Sequence, residues 1–216
     1  MKALELENFT KDGINNLIHV SGKIASAFKL SSEFYGEKFY TTHIQSKRKS
    51  GLIDIIPVTF SERILKPLGE YLGRNVSVYG EIRSLDKKID DRNRLLLFIF
   101  ADNIVVEDTD ELVNEVELNG FVCKKPTFRI TPSGREIADV MLSVNRRYNK
   151  SDHIPCVCWG RNARYASNLS VGSNISLIGR FQSRTYTKLI NGENIVRTAY
   201  ELSVGKLYVL SEAMIG

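Results

Sequence analysis

Apolar and polar residues alternate along much of this chain, and the period is two. In Asn114–Gly120, Val116 and Leu118 point one way and Glu115, Glu117 and Asn119 the other, the period of a half-buried strand. The same reading gives strands over Asn16–Gly22, Lys38–Ser46, Leu52–Phe60 and Asn75–Glu81 in the first half. Arg94–Phe100 is continuously apolar after its first residue, which predicts a strand buried on both faces, by the other half of the chain or by a partner subunit. Ser61-Glu62-Arg63 opens a helix with Ser61 as N-cap and Ile64, Leu68 and Tyr71 or Leu72 as its inner stripe; Pro67 shortens or kinks it. A second helix is expected over about Gly160–Leu169, and Asn191-Gly192 marks a hairpin turn after a flexible loop that begins near Ser183.

The two halves repeat. Gly22 recurs as Gly120, Gly36 as Gly134, and Asp54-x-Ile56-Pro57 as Asp152-x-Ile154-Pro155. Phe60 recurs as Trp159, Gly73 as Gly172, Asn75 as Asn174 and Gly80 as Gly179, one residue further on; Ala101 and Ala199 restore the first spacing. A fixed period over many positions implies an internal duplication. Short, bent strands with glycines at their bends suit small closed barrels. The expected fold is all-β: two tandem five-stranded barrels, residues 1–108 and 109–216, each with one short helix between strands 3 and 4. The acidic run Glu107–Glu111 is the expected short linker.

Composition changes this picture little. At 216 residues, 43% hydrophobic and 25% charged, the chain is an ordinary globular one. It shows no apolar run of membrane-spanning length and no secretory leader, which implies a cytoplasmic protein. Three cysteines, an odd count, argue against a disulfide framework. Cys156 and Cys158 read as small core hydrophobes, and neither they nor His19, His43 and His153 show metal-ligand spacing. Charge is uneven: residues 1–110 carry 16 basic and 16 acidic side chains, residues 111–216 carry 14 and 9. The excess in the second half fits a polyanionic partner. No phosphate-cradling loop, paired carboxylates or nucleophile elbow is visible, so neither an enzyme nor a cofactor is expected.

The second half also carries a resemblance. Its N-x-V-x-L-x-G, S-G-x-x-I-A-x-x-x-L-x-V-N-R, D-x-I-P-x-x-x-W-G and V-G-S-x-I-x-L-x-G-R-x-Q-x-R-x-Y segments stand in the order of the bacterial single-stranded DNA-binding protein family, over about Asn114 to Leu210. The resemblance implies that each barrel is an OB fold and that the chain binds single-stranded DNA independently of sequence; the alternative is an OB-fold accessory or interaction protein with slight DNA contact. In the family, aromatics at the positions of Trp159, Tyr148 and Tyr186 lie against bases, and His153 stands where an aromatic is common. Strand alternation independently puts His153, Pro155, Val157 and Trp159 outward and Ile154, Cys156 and Cys158 inward.

A single-strand binder needs flat side chains for bases and cations for phosphates. Arg146, Arg147, Arg180, Arg184 and Lys188 are the expected phosphate contacts, with Lys124, Lys125 and Arg129 extending the track. The first half keeps cations in Lys47, Arg48, Lys49, Lys87 and Lys88 but only Phe60 of the stacking set, since Ile55 replaces His153 and Ser50 replaces Tyr148. The first barrel is therefore expected to bind weakly or to serve in assembly. Family members present four OB folds, which implies a homodimer of this two-barrel chain. The last six residues, Ser211–Gly216, hold one acidic residue, so recruitment of repair enzymes through an acidic tail is not expected.

Overall fold

A computed structural model describes residues 15–65, 71–89, 92–108, 112–190 and 192–211. Twelve strands account for most of them: β1 (Asn16–Ile24), β2 (Lys29–Phe34), β3 (Glu37–Lys47), β4 (Ile53–Ser61), β5 (Asn75–Ile89), β6 (Arg92–Glu107), β7 (Asn114–Val122), β8 (Thr127–Ile130), β9 (Glu136–Asn145), β10 (Ser151–Trp159), β11 (Asn174–Ile190) and β12 (Glu193–Ser211). In the first repeat β1 pairs with β3 and β5, β3 with β4, β5 with β6, and β4 runs parallel to β6, which closes the barrel. The second repeat closes identically through β7, β9, β10, β12 and β11. These are the five long strands of an OB fold, repeated, each set with a short edge strand, β2 or β8, that the sequence pattern did not announce.

The barrels share one sheet, because β1 pairs antiparallel with β7. Asn16 faces Leu118, Ile18 faces Val116 and Val20 faces Asn114. Since residues 16, 18 and 20 are the repeat partners of 114, 116 and 118, the pairing is self-complementary about Ile18 and Val116, as in an isologous contact. Both residues are buried, and Ile18, Val20, Val116 and Leu118 belong to one core cluster with the interiors of both barrels. Asn16 spans Ile82 in its own barrel with two bonds, 2.7 and 2.9 Å, and Asn114 does the same to Phe181, both at 2.8 Å.

Each barrel sharply bends one strand at a glycine. Register shifts occur at Tyr79/Gly80 and Ile178/Gly179. A Cβ on Gly80 would run into the Phe100 carbonyl, and one on Gly179 into that of Ser203, so no larger residue fits the close strand approach.

Gly80 faces Ala101 and Gly179 faces Val204. The structural counterpart of Ala101 is thus Val204, and the sequence match of Ala101 to Ala199 is corrected. The second hairpin is longer, and its extra residues sit in the ribbon. There is likewise no flexible loop from Ser183: β11 continues to Ile190, and Ile190 faces Glu193 across the tip. Asn191 itself lies outside the described residues.

Among the described residues the strands are connected by little helix. Of the expected first helix the described residues show a 3-10 turn, Glu62–Ile64, with Ser61 Oγ accepting from Arg63 N at 3.1 Å as the N-cap pattern predicts. Pro67 and Leu68 lie outside the described residues, and Tyr71 is buried. The second is α1 (Arg161–Ala166), which buries Ala163 and Ala166. Met1–Asp12, linker residues 109–111 and residues 212–216 of the C-terminal segment also lie outside the described residues. Among the described residues no helix is long and apolar enough to cross a membrane.

Candidate nucleic-acid interface

Strand alternation places β10 as expected at most positions. Ile154, Cys156 and Cys158 are in the core, and burial pushes the Cys158 thiol up to about 12. His153 and Trp159 face outward. Val157 shares their face yet is nearly covered, because Asp139 and Ser203 flank it on the neighbouring strands. Trp159 is 36% exposed, and its Nε1 donates to Ser203 Oγ at 3.1 Å. That bond ties the indole to β12 while the residue stays partly exposed.

The three expected aromatics do not form one cluster. Tyr148 is 92% exposed in the turn between β9 and β10, held in the left-handed region at φ 62°. It adjoins Ser151, at the opposite end of β10 from Trp159, so the strand separates them by roughly 26 Å. His153 and Pro155 lie on the face between. Tyr186, 36% exposed, stands far out on β11, where the Arg184 guanidinium lies 5.5 Å from its ring centroid.

Phe60 requires a correction. It is fully buried, packed in the first barrel's core beside Phe28 at 5.6 Å between ring centroids. Phe60 pairs with Tyr40 on β3, as Cys158 pairs with Ala138 on β9. Its structural counterpart is therefore Cys158, and Ser61 occupies the place of Trp159. The residue gained between the repeats falls after the strand, not before it.

The cations divide into two groups. Arg147, Lys188 and Lys47 are exposed; Lys47 lines a smaller, separate cleft with Lys23 and Glu107. Arg184 is exposed, with Nε 3.4 Å from Glu201. Arg129 forms a two-bond pair with Asp139 at 2.6 and 3.1 Å. Arg180 donates to Gln182 at 3.0 Å, and burial first, then the nearby Arg48, lower its pKa.

Arg48 and Arg146 instead serve a feature that sequence reading missed. Asp54 is fully buried and accepts from Arg48 at 2.6 and 2.7 Å and from Ser183 N and Oγ, of the other repeat, at 2.7 and 3.0 Å. Arg48 also donates to the Ser183 carbonyl at 2.9 Å. Asp152, equally buried, accepts from Ser84 N and Oγ at 2.7 and 3.3 Å and from Arg83 at 3.0 Å, with Arg146 at 3.5 Å. Each barrel thus grips the other's ribbon, β11–β12 or β5–β6, through a buried carboxylate. Burial alone would raise the Asp54 pKa, but Arg48 and Ser183 outweigh it and hold it below the ordinary aspartate value. The recurrence of Asp-x-Ile-Pro was the available signal; nothing in it revealed that the partners would come from the opposite repeat.

The crossed ribbons shape a groove of about 1250 Å³ on the outward face of the first barrel. Phe39, Phe98 and Phe100 line it, half-buried, with Phe39 and Phe100 5.9 Å apart. Leu97, Ile99 and Ala101 alternate with them into the core. The strand expected to be buried on both faces therefore has one face in the core and one in this groove. Tyr186, Lys188 and Arg197 of the second ribbon also line it. By sequence Tyr186 belongs to the second barrel; in space it stands at the first.

Residues 113–210 match the model of the single-strand binding protein family. Over 82 residues, 35% of this chain, the sequence is 40% identical to single-stranded DNA-binding protein 1 of Staphylococcus aureus (strain COL), covering 49% of that protein. It is 38% identical over 82 residues, again 35% of this chain, to single-stranded DNA-binding protein A of Bacillus subtilis (strain 168), covering 48% of it. The chain spans about half the length of the curated relatives it matches. Wild-type single-stranded DNA binding protein from Thermus aquaticus superposes with a TM-score of 0.73 at 18% identity, over 93% of this chain and 95% of that one. That likeness concerns the fold, and it extends over both repeats.

Proposed function

Since residues 113–210 belong to the single-strand binding protein family, we propose that this chain binds single-stranded DNA without sequence preference, as a cytoplasmic binding protein and not a catalyst. The observation that carries the reading is Trp159: a large aromatic, one-third exposed and pinned by Ser203, on the outward face of β10 with His153. Such a side chain offers any base a stacking surface. Tyr148 and Tyr186 supply further aromatic faces, and Arg147, Arg184 and Lys188 supply phosphate contacts. Arg146 and Arg180 border this track, while Arg48 acts on it indirectly by fixing the ribbon through Ser183.

We also propose that two chains associate, giving four OB folds about a closed two-fold axis. Light scattering at micromolar concentration checks this: the mass of a dimer is expected, and a stable monomer overturns it.

The binding reading has a direct test in the only tryptophan of the chain. Oligo-dT is expected to quench Trp159 emission saturably, and salt to reverse the quench as counterions return to the phosphates. Duplex DNA of equal length quenches much less, because its bases are already stacked. Trp159→Ala is expected to cost about 1–3 kcal/mol of binding. Single-strand binding with unchanged emission removes Trp159 from the site; no binding at all leaves the accessory-protein reading.

A further inference from the structure

One acidic side chain stands among the cations of the second ribbon. Alternation along β12 puts Leu202 in the core and Glu201 and Ser203 on the opposite face, the face of Val157 and Trp159. Glu201 is nonetheless buried, at 6% exposure. Both of its carboxylate oxygens are engaged. Gln182, directly across the ribbon, donates Nε2–H to Oε1 at 2.9 Å, and Arg184 Nε lies 3.4 Å from Oε2. Arg180 donates to Gln182 Oε1 at 3.0 Å. The Arg184 guanidinium in turn lies 5.5 Å from the Tyr186 ring centroid. A ladder therefore runs along one face of the ribbon, Arg180–Gln182–Glu201–Arg184–Tyr186, with the carboxylate at its centre. The influence of Glu201 extends further. Bonds to Asp54 are the first cause that holds Arg48 above the ordinary arginine value, and bonds to Asp139 do the same for Arg129; Glu201 adds to both.

An acid in this place has two costs. It repels the phosphates that the surrounding arginines would meet, and its removal from water is unfavourable unless it is well paired. What it supplies in return is order. A free arginine loses rotamer freedom when it meets a ligand, whereas one already held loses much less. The first ribbon has no such ladder: Arg83 faces Phe98 where Gln182 faces Glu201, and Leu85 faces Leu96 where Arg184 faces Ala199.

We propose that Glu201 is a positioning residue for single-stranded DNA binding, holding Arg184 against Tyr186 and, through Gln182, holding Arg180, so that both guanidinium groups are in place before phosphates arrive. Glu201 itself touches no phosphate. The proposal rests on the single-strand reading above.

The sign of one substitution tests it. Glu201→Gln keeps the shape and removes the charge. The full chain and this variant are titrated with a labelled dT oligomer of about 30 nucleotides, long enough for both barrels. A carboxylate that was merely one more charge on the face would, when neutralised, leave a polyanion more tightly bound. A positioning carboxylate gives the opposite result, and the variant is expected to bind about tenfold more weakly, as two arginines must then be ordered on binding. Unchanged or tighter binding overturns the inference and leaves the single-strand reading standing. Absence of binding by the wild type overturns both. The loss is expected to shrink when Glu201→Gln is made in an Arg184→Ala background, where only Arg180 is left to position. A loss of full size there overturns the inference, because damage to the barrel does not depend on Arg184. Circular dichroism checks that each variant is folded at the temperature of titration. Should Glu201→Gln fail to fold, Gln182→Met decides: it leaves Glu201 beside Arg184, cuts the link to Arg180, and is expected to weaken binding about threefold. Unchanged affinity of that variant overturns the inference.

Discussion

The two barrels have the same strands in the same order, but they present their aromatics from different strands. In the second barrel the outward aromatic is Trp159 on β10; in the first, Ser61 stands in its place and Phe39, Phe98 and Phe100 come from β3 and β6. Compared position by position, the first barrel lacks the outward aromatic of the second. Compared face by face, it has moved the aromatics to neighbouring strands of the same surface. A sheet face is the physical unit here, because side chains on adjacent strands stand only about 5 Å apart.

The largest expected effect concerns the clamps that join the barrels. Asp54→Ala is expected to destabilise the chain by about 3–5 kcal/mol, since Arg48 and the Ser183 amide lose a buried partner. Asp152→Ala is expected to cost less, because Asp152 accepts a single arginine bond, from Arg83 at 3.0 Å with Arg146 at 3.5 Å, where Arg48 makes two bonds to Asp54 at 2.6 and 2.7 Å. Urea unfolding followed by circular dichroism measures both, and equal losses would erase the asymmetry.

Next in size is the division of labour between the tyrosines. Tyr148→Ala and Tyr186→Ala are each expected to cost about 1–3 kcal/mol of affinity for a long oligomer. Only Tyr148→Ala is expected to matter for a short oligomer held at the second barrel, since Tyr186 stands at the first barrel's groove. Equal losses at every oligomer length would break the assignment of the second ribbon to the first barrel.

The acid response is smaller and concerns the Asp54 clamp. The folded Asp54 pKa is depressed, so its contribution is fully present above the unfolded value of about 3.9. It is lost as pH falls through the lower folded value. Glu81 and Asp102, raised mainly by burial, act in the opposite sense and favour the folded state at low pH. Asp54→Asn is therefore expected to flatten the loss of stability below about pH 4 relative to wild type, as read by thermal melts across pH 2 to 5. The smallest expected effect is that of Lys47→Ala. If that side chain meets one phosphate, the slope of log K against log salt falls by about 0.7; an unchanged slope places the strand away from its cleft.

Spacing along the chain is enough to place the strands, their duplication and the inward residues. Period-two alternation is a local property, so Val116, Leu118, Ile154 and Cys156 could be placed in the core from their spacing alone. Gly80 and Gly179 were equally legible, because a strand that lets a carbonyl approach its Cα closely needs a residue without Cβ. Trp159 was legible as outward for the same reason as its neighbours were inward. Tertiary structure alone decided what meets across the pseudo-two-fold axis. Arg48 and Arg146 read as surface cations until Asp54 and Asp152 captured them together with serines from the opposite repeat. Phe60 read as a stacking residue because a one-residue gain was placed before it and not after. Tyr186 changed barrels because its strand runs on as a ribbon past Ser183. The direction of such a ribbon depends on accumulated twist and on distant partners, which no local pattern along the chain encodes.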